Sequence, residues 1–333
     1  MKTLIKLLFL ILGISFLSQN IFASEKIKIG LIVPLSGENS LIGEKIIKST
    51  RMAINKINDD RIEIIPKDTK SNPIDALRVS KELYKNGVRI VIGPVFNEST
   101  KYLDDLKDVT FISFTNKLIG NPKNVISAGV NAISQLQTIK KFNDRNNLSN
   151  GIFLIPRSQF KNEIEKAINK TKIKHKKVFY YDREPTKLTK QIENLTRYQV
   201  RKNNLKNEIK RIEGLSFKDK DKKIQSLKKK DTLGNINFDS VVIADFDENL
   251  KSVATYLLYT DVSSKRISYI TLNQWFDESL LKENSLHPIY FPSINKRNYE
   301  IFMSEFKTTY GLDSDQPSFL SYDLIGLVYF LIF

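Results

Sequence analysis

The sequence of 333 residues contains no cysteine and only two histidines, His175 and His287. The absence of cysteine excludes disulfide bonds, thiolate metal sites and cysteine nucleophiles. Two histidines without any cysteine argue against a transition-metal site. The GxSxG, GxGxxG, phosphate-loop and DxDxDG calcium-loop motifs are absent as well. We therefore expect neither a metal nor a cofactor.

Paired carboxylates are the one catalytic arrangement that this composition leaves open. Asp245 and Asp247 follow a predicted strand and are its best representatives. Glycosidase-type chemistry needs two carboxyl groups on opposite sides of the reacting bond. Two aspartates at one strand end more often cap the next helix. The sequence therefore predicts a protein without catalytic residues.

The first 23 residues have the pattern of a cleaved export signal. Lys2 and Lys6 form a positive start, Leu7 to Leu17 are apolar, and Ile21-Phe22-Ala23 before Ser24 resembles a cleavage site. An uncleaved anchor helix is the alternative, but the apolar run is shorter than the roughly 20 residues needed to span a bilayer. We expect export to the periplasm and no membrane span in the mature protein.

The net charge of +16 is concentrated in one part of the chain. Residues 187–230 contain 15 Lys or Arg and 5 Asp or Glu, a net charge of +10. Their apolar residues recur at seven-residue spacing, as in Leu188 and Leu195 or in Leu205 and Ile212. This pattern predicts a basic antiparallel helical hairpin, inserted at residues 187–232. The alternative is a charged, solvated arm.

Outside this insert, short apolar runs alternate with helical patterns in two successive series. This alternation predicts an α/β protein with two doubly wound parallel-sheet lobes and a cleft between them. We expect an N-terminal lobe over residues 24–145, a C-terminal lobe over 146–300 and closing helices over 301–333. Because the final helical pattern is apolar to its last residue, we expect a truncated chain that lacks a return segment.

Polar residues follow the predicted strands of both series. In parallel sheets, ligands bind outside the carboxyl ends of the strands, so these residues are the candidate ligand-binding set. Each of them alone could instead be a helix cap or a turn former. The set comprises Ser36, Asn97, Ser99, Thr100, Thr115, Asn116, Lys117, Arg157, Asp245 and Gln274.

A known family shares these motifs. The run IKIGLIVPLSGENSLIGEKIIKSTRMAINKIN, followed by KDTKSNPIDALRVSKELYKNGVRIVIGPVFNEST and ISFTN, resembles the type I periplasmic binding proteins of the leucine/isoleucine/valine-binding family. The resemblance implies two α/β lobes that close on a small polar ligand. The family's amino-acid binders use Ser or Thr where this chain has Asn97 and Lys117.

One branch of that family is closer in pattern. The turn GPVF, the helical insert, DTLGNINFDSVVIADF, NQWFDESLL and SYD are similar to the penicillin-binding-protein activators. This resemblance implies a non-enzymatic regulator that docks on a peptidoglycan synthase. The alternative is the receptor of an ABC transporter, which would bind branched-chain amino acids, amides or a related small polar ligand and engage an ABC permease. Because the chain is exported, we do not expect nucleic acid as a partner.

Overall fold

Two parallel sheets of five strands each form the framework of the protein. The computed structural model describes residues 26–117, 120–272, 283 and 286–333. The predicted signal peptide and Gln274 lie outside these ranges. The predicted α/β fold of two doubly wound parallel lobes is confirmed.

The first sheet has the strand order β2-β1-β3-β4-β5. Its strands are β1 (Ile27–Val33), β2 (Ile62–Asp68), β3 (Ile90–Ile92), β4 (Thr110–Ser113) and β5 (Val125–Ser127). The central strand β1 pairs with β2 from Ile27 opposite Ile62 to Val33 opposite Asp68. It is apolar and buried from Ile29 onward, as is typical of a strand with helices on both faces.

Helices α1 (Ser40–Ile57) and α2 (Pro73–Lys85) connect the first three strands. Asn72 caps α2, because its side chain accepts hydrogen bonds from the amides of Ile74 and Asp75. After β3 the chain forms two 3₁₀ turns, Asn97–Thr100 and Leu103–Asp105. The Thr100 hydroxyl donates to the carbonyl of Asn97, and such local bonds favour a turn over a continued α-helix.

The chain enters the second lobe with helix α3 (Ala132–Arg145). Leu136 and Ile139 of this helix pack with Ile164 and Ile168 of α4 (Lys161–Thr171) in one buried cluster. The predicted boundary at residue 145 assigned α3 to the first lobe, whereas its apolar side chains lie in the core of the second.

The second sheet has the strand order β10-β9-β8-β6-β7. Its strands are β6 (Ile152–Pro156), β7 (Lys177–Tyr181), β8 (Ser240–Ile243), β9 (Ser268–Thr271) and β10 (Ile289–Tyr290). Helix α5 (Pro185–Thr196) follows β7 and buries Leu188 and Ile192 in the main core of this lobe. The predicted insert included α5, but the helix is an ordinary part of the lobe.

The basic hairpin consists of α6 (Tyr198–Glu213) and α7 (Lys220–Lys228). Leu205, Ile212 and Leu227 form a small buried cluster between the two helices. At the base, the guanidinium of Arg201 is 3% exposed. It donates hydrogen bonds to the carbonyls of Thr196 and Thr260 and to the Thr232 hydroxyl. A buried cation with these partners fixes the hairpin on the second lobe.

Helix α8 (Asp247–Tyr259) covers β8, and the chain then returns to the first lobe with α9 (Lys296–Tyr310) and α10 (Gln316–Ile332). Small polar residues let α10 approach α1 closely. The Ser49 hydroxyl donates to the carbonyl of Ser318 over 2.5 Å, and the hydroxyls of Thr50 and Ser321 lie 2.8 Å apart. Both closing helices therefore complete the first lobe. No helix in the described ranges is long and apolar enough to cross a membrane.

Candidate functional site

The loop after β1 is held by an aspartate from the neighbouring strand. Asp68 accepts hydrogen bonds from the Ser36 hydroxyl at 2.6 Å and from the amides of Leu35 and Lys70 at 2.8 Å each. Burial raises the pKa of Asp68, but these hydrogen bonds outweigh burial and lower it below its ordinary value. The predicted site residue Ser36 is thus exposed but already has a partner within the loop.

The loop after β3 begins with a glycine that no other residue could replace without strain. Gly93 has φ +109°, and a Cβ atom there would lie 2.1 Å from the carbonyl oxygen of Ile32. This close approach sets the direction in which Asn97, Ser99 and Thr100 leave the sheet. Ser99 and Thr100 are each 1% exposed. Their side chains turn into the first lobe and do not line either of the two cavities described below.

Asn97 belongs to a small hydrogen-bonded network at the sheet edge. Its side-chain amide donates to Oδ1 of Asn121 over 2.8 Å. The amide of Asn121 donates to the carbonyl of Lys117 and to the Ser127 hydroxyl. The network joins the loops after β3 and β4 to β5, so it holds the backbone of Lys117 in place.

A cavity of about 310 Å³ lies above this network. We call it the first-lobe cavity. The start of α10 forms one of its walls through Gln316, Pro317 and Leu320. The predicted site residues Asn97, Thr115, Asn116 and Lys117 line it as well.

A larger cavity of about 410 Å³ lies between the lobes, and we call it the interlobe cavity. Asn116 and Lys117 come from the first lobe, and the strand ends and helix starts of the second lobe supply the rest. Its volume is in the range of small-ligand sites. The second-lobe lining residues are Val130, Ala132, Gln135, Gln159, Phe160, Asn162, Glu163, Ile164, Ala244, Phe246 and Leu272.

The chemistry of the interlobe cavity is mixed. Phe160 and Phe246 offer aromatic surface, and Gln135, Gln159 and Asn162 offer amide groups. Lys117 and Glu163 add one charge of each sign. A lining of this kind suits a small ligand with an apolar body and polar ends. Sequence reasoning missed both phenylalanines, although an aromatic residue in the loop that follows a strand, as in SQFKNE after β6, was a usable signal.

Asp245 is buried and fully engaged in structural contacts. Its carboxylate is 2.7 Å from the Tyr181 hydroxyl, and it accepts two hydrogen bonds from the Arg183 guanidinium at 2.7 and 3.1 Å. Burial, followed by the charge and hydrogen bond of Asp245, raises the pKa of Tyr181 above its ordinary value. Because Asp245 is only 1% exposed, it does not offer a carboxylate to a ligand.

Arg157 also lies apart from the two cavities. Its guanidinium is exposed, 3.7 Å from the Asp182 carboxylate, and lies over the ring of Tyr180. The structure therefore brings together four of the predicted residues, Asn97, Thr115, Asn116 and Lys117. Ser36, Ser99, Thr100, Arg157 and Asp245 do not line either cavity, and Gln274 lies outside the described residues.

The described residues contain no cluster of three or more His, Asp or Glu that could hold a metal ion. No curated protein sequence matches the chain. Residues 26–170 match the sequence profile of a family described as periplasmic binding protein.

Solved structures with the same fold include transport and regulatory proteins. A protein of Rhodospirillum rubrum, described as a branched-chain amino acid ABC transporter, has a TM-score of 0.61 at 12% identity, over 90% of this chain and 82% of that one. The C-domain of LpoA from Haemophilus influenzae, described as a regulator of PBP1A, has a TM-score of 0.57 at 12% identity, over 91% and 87%. The shared two-lobe architecture confirms the fold predicted from the sequence motifs: this chain has the type I periplasmic binding protein fold.

Proposed function

We propose that this protein is a non-enzymatic periplasmic regulator that docks on a peptidoglycan synthase. The observation that carries the proposal is the basic hairpin, which Arg201 fixes on the second lobe away from the two cavities. A receptor that only captures a solute has no need of such an element. The C-domain of LpoA, a regulator of PBP1A, shares the fold, and this likeness is consistent with the proposal.

The state of the predicted ligand-binding residues supports the same role. Ser99 and Thr100 are buried, and the Asp245 carboxylate is occupied by Tyr181 and Arg183. An amino-acid receptor needs accessible groups for both the carboxylate and the ammonium of its ligand. Among the described residues that line the interlobe cavity, Lys117 is the only cation, and the only carboxylate, that of Glu163, already interacts within the protein.

The interlobe cavity supports a second candidate function, that of a solute receptor. Phe160 and Phe246 with Lys117 and Glu163 would suit an apolar amino acid or a related amide. The transport proteins that share the fold agree with this alternative, and an ABC permease would then be the partner. In both cases the protein binds and does not catalyse.

A paired measurement separates the two functions. The exported form, residues 24–333, is added to a bifunctional peptidoglycan synthase of the same organism, and the rates of glycan polymerisation and cross-linking are followed. We expect saturable stimulation. A synthase that neither binds the protein nor changes its rate contradicts the regulatory function.

The second measurement is a thermal-shift screen with amino acids, amides and short peptides. A ligand at 100 times its dissociation constant stabilises its receptor by about 2.7 kcal/mol. If the protein is a receptor, Phe246→Ala should abolish this shift, whereas Ile74→Ala, at an exposed site of the first lobe, should leave it unchanged. A ligand-induced shift without any effect on the synthase would establish the receptor function.

A further inference from the structure

The tip of the basic hairpin, residues 214–219, exposes two large apolar side chains. Leu215 is 43% exposed and Phe217 is 45% exposed. They lie in the loop between α6 and α7, beyond the buried cluster that seals the two helices. Partial exposure of apolar side chains of this size to water is unfavourable, and neither side chain belongs to the buried cluster of the hairpin.

Basic residues surround this apolar tip. Residues 198–233 contain 12 Lys or Arg and 5 Asp or Glu. Apart from Arg201 at the base, all of the basic side chains are exposed or half-exposed. Two of the acidic groups are neutralised within the hairpin, since Glu208 pairs with Arg211 and Asp219 with Lys222. The outer surface therefore keeps a clear excess of positive charge.

The type of cation distinguishes between possible partners. Ten of the 12 basic residues are lysine. Protein–protein interfaces are depleted in lysine and enriched in arginine, tyrosine and tryptophan. At a membrane surface, lysines keep their ammonium groups among the lipid headgroups while apolar neighbours enter the acyl boundary. The combination of two apolar side chains with many lysines thus favours a lipid surface at the tip, which leaves the sides of the hairpin and the lobes for a protein partner.

We propose that the hairpin tip binds anionic phospholipid membranes, with Leu215 and Phe217 inserted at the headgroup boundary and the surrounding lysines on the lipid phosphates. The contact is peripheral and needs no spanning helix. It goes beyond the proposed function, because it does not depend on whether the protein serves a synthase or a transporter. Fixed by Arg201, the hairpin would hold the two lobes in a set orientation above the bilayer.

Vesicle co-sedimentation tests the contact. The exported form is mixed with vesicles of phosphatidylcholine alone or of phosphatidylglycerol and phosphatidylcholine in equal parts. We expect binding to the second kind only, and weaker binding as salt rises, since the Debye length falls to about 8 Å at 0.15 M. Each lysine replaced by glutamine among Lys218, Lys220, Lys222 and Lys223 should weaken binding about fivefold.

The apolar part has its own variant and a matched control. Leu215→Ser with Phe217→Ser should weaken binding to the anionic vesicles at least about tenfold. Phe330→Ser with Leu331→Ser removes a pair that is 77% and 69% exposed on α10, and it should leave binding unchanged. If instead the α10 pair is required, or the tip pair is not, the proposed insertion is wrong.

The absence of cysteine allows a direct readout of insertion. Phe217→Cys gives a single thiol for an environment-sensitive fluorophore, and Phe330→Cys gives the matched control. Emission from position 217 should shift to the blue when anionic vesicles are added, and emission from position 330 should not. The membrane contact is contradicted if emission from position 217 does not shift with anionic vesicles. It is also contradicted if only a protein partner shields the fluorophore at position 217 from water. The synthase assay is independent of this result, so the two proposals can fail separately.

Discussion

Asp245 joins three parts of the second lobe at the point where β8 ends. Its carboxylate holds the Tyr181 hydroxyl at the end of β7 and the Arg183 guanidinium just beyond it. Removal of the carboxylate leaves a buried hydroxyl and a partly buried cation without their acceptor. Such losses are more costly than the loss of an exposed ion pair.

We therefore predict that Asp245→Ala lowers the free energy of unfolding by about 2–4 kcal/mol. Urea denaturation followed by circular dichroism measures the change. Glu248→Ala, which removes an exposed ion pair with Lys251, is the control and should cost less than about 1 kcal/mol. A similar small loss for both variants would mean that Asp245 is not the structural residue described above.

The stability of the first lobe depends on pH through Asp68. Because its folded-state pKa is lowered, its contribution to stability is present above the unfolded value of about 3.9 and is lost as pH falls through the folded value. Asp68→Asn should therefore be less stable than the parent at neutral pH, and the difference should shrink as pH falls below about 4. Melting temperatures across this range give the test. A difference that stays constant with pH would assign the effect to lost packing.

Asp245, Lys117 and Ser99 show what sequence reasoning could find at this scale. Apolar runs and the turns after them placed Asp245 and Lys117 correctly at the carboxyl ends of strands. The pattern could not show that Asp245 is satisfied internally, because its partner Tyr181 is 64 residues away. Similarly, Ser99 lies in a 3₁₀ turn whose direction depends on the close contact at Gly93, and this contact is not visible in residue spacing.

At the scale of elements, the basic segment shows where periodicity misleads. Leu188 and Leu195 repeat at seven residues in the same way as Leu205 and Ile212, and the prediction joined them in one hairpin. The first pair packs on the second lobe, whereas the second belongs to the sealed hairpin. A helix that packs on a sheet and a helix that packs on another helix can show the same spacing of apolar residues.

Because α5 belongs to the second lobe and not to the hairpin, two deletions of different length should have different outcomes. Removal of residues 203–231 with a Gly-Ser link keeps Arg201 and Thr232, and the chain ends are close because the Leu233 amide donates to the carbonyl of Arg201. This variant should fold with a melting temperature near that of the parent. Removal of residues 188–230 also removes Leu188 and Ile192, each worth about 2–5 kcal/mol as a buried aliphatic side chain, and should unfold the second lobe.

Circular dichroism and thermal denaturation of the two deletions provide the measurement. If the shorter deletion also unfolds the protein, the hairpin is part of the lobe's core and not an addition to it. If the longer deletion remains folded, the packing of α5 described above is wrong.

At the scale of the whole molecule, the two lobes differ in how the chain builds them. The described helices and strands from α3 to β10 belong to the second lobe. The first lobe combines residues from both ends of the described chain, because Leu324, Ile325 and Val328 of α10 pack in the same core as Ile46 and Ala53 of α1. The lobes should therefore respond separately to changes in α10.

Removal of residues 312–333 should expose the core of the first lobe to proteases and leave the second lobe folded. The uncovered face of α1 includes residues that are fully buried in the intact protein, so proteolysis should cut within residues 26–130. A protected fragment that spans α3 to β10 is expected by mass spectrometry. Simultaneous digestion of both lobes would contradict their independence.

The pairing of α1 with α10 also sets an order in time. The hydrogen bond from Ser49 to Ser318 spans 269 positions in the sequence, whereas the second lobe can close on itself once β10 has been made. A growing chain emerges at about 5–20 residues per second, and contacts between distant positions form late. The part of the protein that is synthesised first is thus the last to be completed, and the apolar face of α1 is open to chaperones or to aggregation until the closing helices arrive.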